Sequence, residues 1–131
     1  EPAGFYGQGP PVKRGLHFIR MKGNETFKIA VRMMEEVSRE ALDLAGLRTA
    51  DVDWFIPHQA NHRIIDAVGT RLGISGDRCY VNIDRYGNTS AASIPIALDE
   101  AVRSGRVKRG DVVLMSAFGA GVTWAASVVR W

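Results

Sequence analysis

Trp54-Phe55-Ile56-Pro57-His58-Gln59-Ala60-Asn61 turns from an apolar run to a proline, a histidine and an asparagine within one short stretch. The run 52–56 reads as a buried strand. Asn61 reads as the cap of a helix that continues to Leu72 and closes at Gly73. His58 therefore stands in a turn between a strand and a helix. About thirty residues later, Tyr86-Gly87-Asn88-Thr89-Ser90-Ala91-Ala92-Ser93 follows an apolar stretch, 80–83, that reads as another strand, and it leads into another helix. Each turn carries one strong side-chain N–H donor. Two such donors aimed at one oxygen stabilise a developing oxyanion or enolate, so His58 and Asn88 form the candidate catalytic pair. No nucleophile of comparable quality accompanies them.

Working outward, Gly23-Asn24 offers an N-cap, and Phe27, Ala30, Val31, Met34, Val37, Ala41, Leu44 and Ala45 recur at helical spacing until Gly46 supplies a stop. The opposite face of this long helix carries Lys28, Arg32, Glu35, Glu36, Arg39 and Glu40, a solvated surface. Upstream, 16–21 is apolar enough to be an extended segment. Residues 1–15, with Pro2, Pro10, Pro11 and glycines at 4, 7, 9 and 15, read as a surface loop. Downstream, the Asn88 turn leads to a helix through Ser104 with Gly105 at its end. Pro95 inside it predicts a late start or a kink. Two strands follow, 112–118 and 122–129, reversing at Gly119-Ala120-Gly121.

Strands alternating with helices, joined by crossovers of about thirty residues, predict an α/β fold: a mostly parallel sheet covered by helices, with an antiparallel last strand. Ligands of such sheets sit beyond the carboxyl ends of the strands. His58, Asn88 and the glycines at 119 and 121 all fall at that end.

The 131 residues suit one domain, 1–131, and 46% apolar with 24% charged residues is the balance of an ordinary globular chain. The apolar runs are too short to span a bilayer, and neither a signal peptide nor a transit peptide is evident, which predicts a cytoplasmic protein without a membrane partner. A single cysteine, Cys79, excludes an internal disulfide, and with three scattered histidines it argues against a metal site. The net charge of +3 permits an acidic partner. Basic and acidic residues are interleaved along the helices, however, so nucleic acid is not expected.

Taken together, PHQAN with Arg63, GNTSAAS, and AFGAGVTW resemble the second half of a beta-ketoacyl-[acyl carrier protein] synthase III, a thiolase-fold condensing enzyme of bacterial fatty acid biosynthesis. The resemblance covers nearly all of the chain from Leu16 onward. It implies a thiolase-like C-terminal half whose first strand and N-terminal half lie elsewhere. In that family an acyl group passes from acyl-CoA to a cysteine of the N-terminal half. Malonyl-acyl carrier protein then loses carbon dioxide, and the resulting carbanion attacks the acyl-enzyme. The resemblance gives His58 and Asn88 the task of stabilising the enolate. It places Asn61, Gly23 and Phe27 along the pantetheine arm, while the residues themselves also allow a helix cap for Asn61 and core packing for Phe27. It makes Gly119, Ala120 and Gly121 the oxyanion loop, with alanine where the family often has a third glycine. Lys28, Arg63 and Arg71 become a surface for the acyl carrier protein.

The resemblance implies no metal and no bound cofactor, coenzyme A and carrier-protein thioesters being substrates, and it implies a homodimer for the whole enzyme. Cys79, just before a strand, reads as a packed thiol rather than the nucleophile. Alone, the chain would be inactive in condensation and would expose an apolar face where the other half packs. Two other readings fit the same motifs: a condensing enzyme that makes polyketide or quinolone-type products, and a non-enzymatic module that binds an acyl carrier protein or a homologous subunit.

Overall fold

The computed structural model describes residues 23–131. The readings of 1–15 and 16–21 lie outside them. Helix α1 (Gly23–Leu44) already includes Gly23 and Asn24, so these residues belong to its first turn rather than preceding it. Val31, Met34, Ser38 and Leu42 recur at helical spacing on its buried side. Leu44, assigned to that side by spacing, is 84% exposed. Two residues past Leu42 it is rotated by roughly 200° around the axis, which turns it to solvent. The helix ends as Gly46 N donates to the Asp43 carbonyl and Leu47 N to the Leu42 carbonyl, at 3.0 and 2.9 Å. This crossed pair satisfies the last carbonyls and returns Leu47 to the core.

After a 3₁₀ turn (Thr49–Asp51) come β1 (Trp54–Pro57), α2 (His62–Leu72), a second 3₁₀ turn (Gly76–Arg78) and the single-turn α3 (Ile83–Tyr86). A third 3₁₀ turn (Ser90–Ala92) leads into α4 (Ser93–Arg103), followed by β2 (Val112–Gly119) and β3 (Thr123–Arg130). Pro95 is the third residue of α4, where its missing N–H has no helical partner to lose, so the late start prevails over a kink.

Among the described residues the sheet has the order β1-β2-β3, with β1 parallel to β2 and β2 antiparallel to β3. β1 and β2 are buried on both faces. Phe55, Val112 and Leu114 pack against α1 and α2 residues such as Met34, Leu42 and Val68. Ile56 and Val113 pack against Ala97 and Ala101 of α4 on the other side. This alternation makes the sheet the middle layer between two helical layers.

The expected strand at 80–83 is not formed. Cys79 makes one isolated parallel bridge with Phe55, and Tyr80 N donates to the Phe55 carbonyl at 2.8 Å. Beyond that point a side chain takes over the pairing. Gln59 Oε1 accepts from Asn82 N at 3.0 Å and Ile83 N at 3.2 Å, while its Nε2 donates to the Pro57 and Tyr80 carbonyls at 2.9 and 3.2 Å. The backbone is thus satisfied without a ladder.

The last strand is also wetter than its composition predicts. Trp124 is 48% exposed, and Val122, Val129 and Trp131 are exposed beside it. Among the described residues β3 is the edge strand on this side of the sheet, and α1 packs against it.

Candidate functional site

Parallel pairing puts the carboxyl ends of β1 and β2 side by side. His58 N donates to the Ser116 carbonyl at 2.8 Å, so the ladder fixes the backbone one residue past Pro57. α2 begins immediately beyond. Its cap is Asn61, whose side chain accepts from Arg63 N at 2.9 Å, and Gly73 closes the helix in the left-handed conformation. Pro57 and Gln59 are buried on either side of His58, leaving the imidazole half-buried at the sheet end.

Asn88 arrives by another route. Gly87 adopts φ 65°, ψ −162°, a combination open essentially to glycine alone, and so turns the chain out of α3. Asn88 Oδ1 then accepts from Ser90 N at 2.9 Å, and Ser90 stands at φ 53° within this side-chain-closed turn. Behind it, Glu100 of α4 clamps α3. Its carboxylate accepts from Asn82 Nδ2 at 2.9 Å, from both terminal nitrogens of Arg85 at 2.6 and 2.9 Å, and from the Tyr86 hydroxyl at 3.1 Å.

The two turns meet in a cleft of about 1330 Å³ that both His58 and Asn88 line. Each residue has one polar end fixed. His58 Nδ1 lies 2.6 Å from Ser93 Oγ, and Asn88 Oδ1 is held by Ser90. The free ends are His58 Nε2 and the Asn88 amide nitrogen, for which no partner exists among the described residues. Burial pushes the His58 pKa below its ordinary value, so the ring is neutral at neutral pH. The amino ends of α2 and α4 open on the same cleft, and their N–H groups favour negative charge there.

Gly23, Phe27, Asn61, Lys28 and Arg63 all line this cleft, with the Arg63 guanidinium 5.2 Å from the centre of the Phe27 ring. Gly119 and Ala120 line it too. Gly121 adopts φ 143°, and a Cβ there would come within 2.9 Å of the Thr123 methyl, which reserves the position for glycine. Ala120 is not among the residues at positive φ, so its methyl fits the turn.

Arg71 stands apart from the cleft. Its guanidinium donates to Glu35 at 2.9 Å, and Arg39 joins Glu35 to the Arg71 carbonyl, stapling α1 to α2. Cys79 is also outside the cleft. Burial first, and then the charge of Asp66, push its thiol up to about 12, so it stays protonated.

Three residues of the site escape a reading based on motif donors alone. Gln59 and Ser93 sit inside the quoted motifs, buried, and act on the backbone and on His58. Phe118 lines the cleft just before the glycine turn. A polar residue between Ala92 and Ile94 is the available signal for Ser93; Gln59, between His58 and Ala60, carries no such signal.

Residues 42–131 match the family described as 3-Oxoacyl-[acyl-carrier-protein (ACP)] synthase III C terminal. A beta-ketoacyl-[acyl-carrier-protein] synthase III of Desulfitobacterium hafniense is 58% identical over 120 residues, which cover 92% of this chain and 36% of that protein. The crystal structure of the 3-oxoacyl-[acyl-carrier-protein] synthase III from Aquifex aeolicus superposes with a TM-score of 0.87 at 56% identity, over 90% of this chain and 38% of that one. The priming beta-ketosynthase of the R1128 polyketide pathway superposes with a TM-score of 0.77 at 45% identity, over 84% of this chain and 33% of that one. The chain therefore spans a little over a third of the curated relatives it matches.

Proposed function

Because the chain belongs to the family of 3-oxoacyl-[acyl-carrier-protein] synthase III C-terminal domains, we propose that it supplies the enolate-stabilising half of a decarboxylating acyltransferase that starts fatty acid synthesis. One observation carries this reading. His58 and Asn88 each have one polar end fixed by a neighbour and the other free in the same cleft.

The reaction would run on a malonyl thioester of an acyl carrier protein. The bond to the malonyl carboxylate breaks, carbon dioxide leaves, and the electron pair moves into the thioester as negative charge on its oxygen. Donors from His58 Nε2 and the Asn88 amide would meet that oxygen as the charge develops, in a cleft where helix amino ends add to the favourable field. The same electron pair then forms a carbon–carbon bond to the carbonyl of an acyl-cysteine and expels the thiolate. That cysteine would come from the part of the enzyme outside these 131 residues, since Cys79 is neither in the cleft nor ionised.

Asn61, Gly23 and Phe27 would run beside the pantetheine arm, and the backbone of Gly119, Ala120 and Gly121 would face the acyl-cysteine oxygen. Lys28 and Arg63, exposed at the rim, would draw the acidic carrier protein by a salt-sensitive attraction. Arg71 would contribute least, because Glu35 already holds it. In the whole enzyme the complementing half, and a second copy, would cover the apolar residues exposed around β3. A cytoplasmic site of action completes the proposal; among the described residues no helix is long and apolar enough to cross a membrane.

The test is carbon dioxide release from malonyl-carrier protein by the chain complemented with a polypeptide supplying the remaining part of the fold. His58→Ala and Asn88→Ala should each slow release by roughly 10²- to 10³-fold, the loss expected for one oxyanion donor. Release unchanged in both variants would sink the donor assignment and leave a binding module.

A further inference from the structure

Ser93 is the first residue of α4 and is 2% exposed, yet the chemistry proposed above asks nothing of a hydroxyl at that place. Its Oγ has two partners: His58 Nδ1 at 2.6 Å and the backbone N of Gln59 at 3.2 Å. The second settles the direction of the first. A backbone N–H only donates, so Oγ accepts from Gln59, and the hydroxyl proton needs an acceptor of its own. Among the described residues the acceptor within reach is His58 Nδ1.

We propose that Ser93 is a positioning residue that holds His58 as its Nε2–H tautomer and so delivers the ring's one N–H into the cleft. This rests on the reading of His58 as a donor to a thioester oxygen. It goes beyond that reading by naming the nitrogen that carries the proton and the residue that decides it.

The opposite tautomer fails on two counts. The hydroxyl oxygen could accept Nδ1–H on its second lone pair, but the buried hydroxyl proton would then have no acceptor. Nε2 would meanwhile present a lone pair to the cleft, where it would repel an enolate oxygen. The direction of the Gln59 N–H is itself fixed, because the Gln59 side chain is tied to the Pro57 and Tyr80 carbonyls. A chain of hydrogen bonds therefore runs from the Gln59 backbone through Ser93 to His58. Burial keeps the ring neutral at neutral pH, the state in which a tautomer exists to be chosen.

The test is NMR of the complemented protein with ¹⁵N-labelled histidine, recorded above the His58 pKa, with His58→Gln identifying the resonances that vanish. The expected spectrum shows a protonated Nε2 and an unprotonated Nδ1. A protonated Nδ1, or an average of both tautomers in the unmutated protein, overturns the proposal, and this outcome is read on the unmutated protein, the variant serving only to assign its resonances. Ser93→Ala should move the signals toward a tautomer mixture and lower carbon dioxide release roughly ten- to a hundredfold, as loss of an outer-shell partner does, with KM little changed. Ser93→Thr, which keeps the hydroxyl, should restore both. The two readings fail distinguishably: unchanged release in His58→Ala removes the donor role and leaves the tautomer standing, Nδ1–H in the spectrum removes Ser93's role and the Nε2 donor together, and a tautomer average removes Ser93's role and leaves His58→Ala to decide the donor.

Discussion

The His58 turn and the Asn88 turn look alike in sequence, an apolar run followed by a polar turn and a helix, but they are held by different physics. The His58 turn is a continuation of secondary structure. The β1–β2 ladder reaches His58 N, and a capped helix starts at once on the other side. The Asn88 turn has no strand behind it. Side chains hold it: Gln59 replaces the ladder, Glu100 clamps α3, and glycine and serine at positive φ bend the backbone. One residue of the proposed pair is therefore set by the scaffold. The other is set by a few individual residues and is the more easily displaced by mutation.

Gln59→Leu breaks this comparison most severely, since Gln59 belongs to the first turn and builds the second. The variant keeps the bulk at a site 1% exposed but strips partners from two backbone N–H groups and two carbonyls. At about 1–3 kcal/mol for each buried group left unpaired, with partial relaxation, a loss of about 3–5 kcal/mol is expected. Urea denaturation measures it. A loss under about 1 kcal/mol would mean that 79–83 pairs adequately without this side chain.

The same residue explains what was legible in the sequence. Apolar periodicity located every described helix of more than one turn, and both long strands, because their energetics reside in repeating burial. Asn61 and Gly73 marked the ends of α2 because caps are local. The stretch 80–83 has strand composition, but whether it pairs depends on a glutamine more than twenty residues upstream, and no local window holds that information. Ser93 escaped for the same reason: its partner is thirty-five positions away. The exposure of Trp124 is not legible in composition, because an aromatic in an edge strand is buried only if something covers that edge.

Gly87→Ala should disturb the Asn88 turn alone. At φ 65°, ψ −162° a Cβ is strained although the space around it is open, so the loss expected is about 1–3 kcal/mol. Carbon dioxide release should fall along with stability, as Asn88 shifts. The matched control is Ala60→Gly, which relaxes the backbone beside His58 where no positive φ is required. Equal falls in release for the two variants would erase the distinction between the turns.

Acid should separate the turns in order. Burial holds the His58 pKa below 6.5, so the unfolded chain binds more protons as pH falls past that value; the stability this group contributes is present above about pH 6.5 and is lost toward its folded pKa. Hydrogen bonding from Asn82, then Tyr86 and the charge of Arg85, holds the Glu100 carboxyl below its ordinary 4.5. Arg71 and Arg39 do the same for Glu35. Those contributions are complete above about pH 4.5 and are lost only as pH falls through the lowered values. Thermal midpoints measured against pH should thus decline in two stages. His58→Gln should flatten the upper stage and Glu100→Gln the lower, the latter with a loss near 1 kcal/mol at neutral pH, as suits a largely solvated network. A Glu100→Gln curve parallel to that of the unmutated protein would remove the clamp from the account.

The smallest stability effect belongs to the best-built element of the His58 turn. Asn61 caps α2 through its side-chain oxygen and also lines the cleft. Serine caps as well as asparagine, whereas alanine forfeits about 1 kcal/mol. Asn61→Ser should therefore leave the unfolding midpoint within a few tenths of a kcal/mol of the original, yet raise KM for malonyl-carrier protein if the amide also contacts pantetheine. Asn61→Ala should lower stability and raise KM together. An unchanged KM in both variants would confine Asn61 to capping and narrow the substrate contacts of the His58 turn to His58 itself. A raised KM in both would show that the scaffold-built turn, for all its regularity, carries substrate contacts on the same residues that hold its helix.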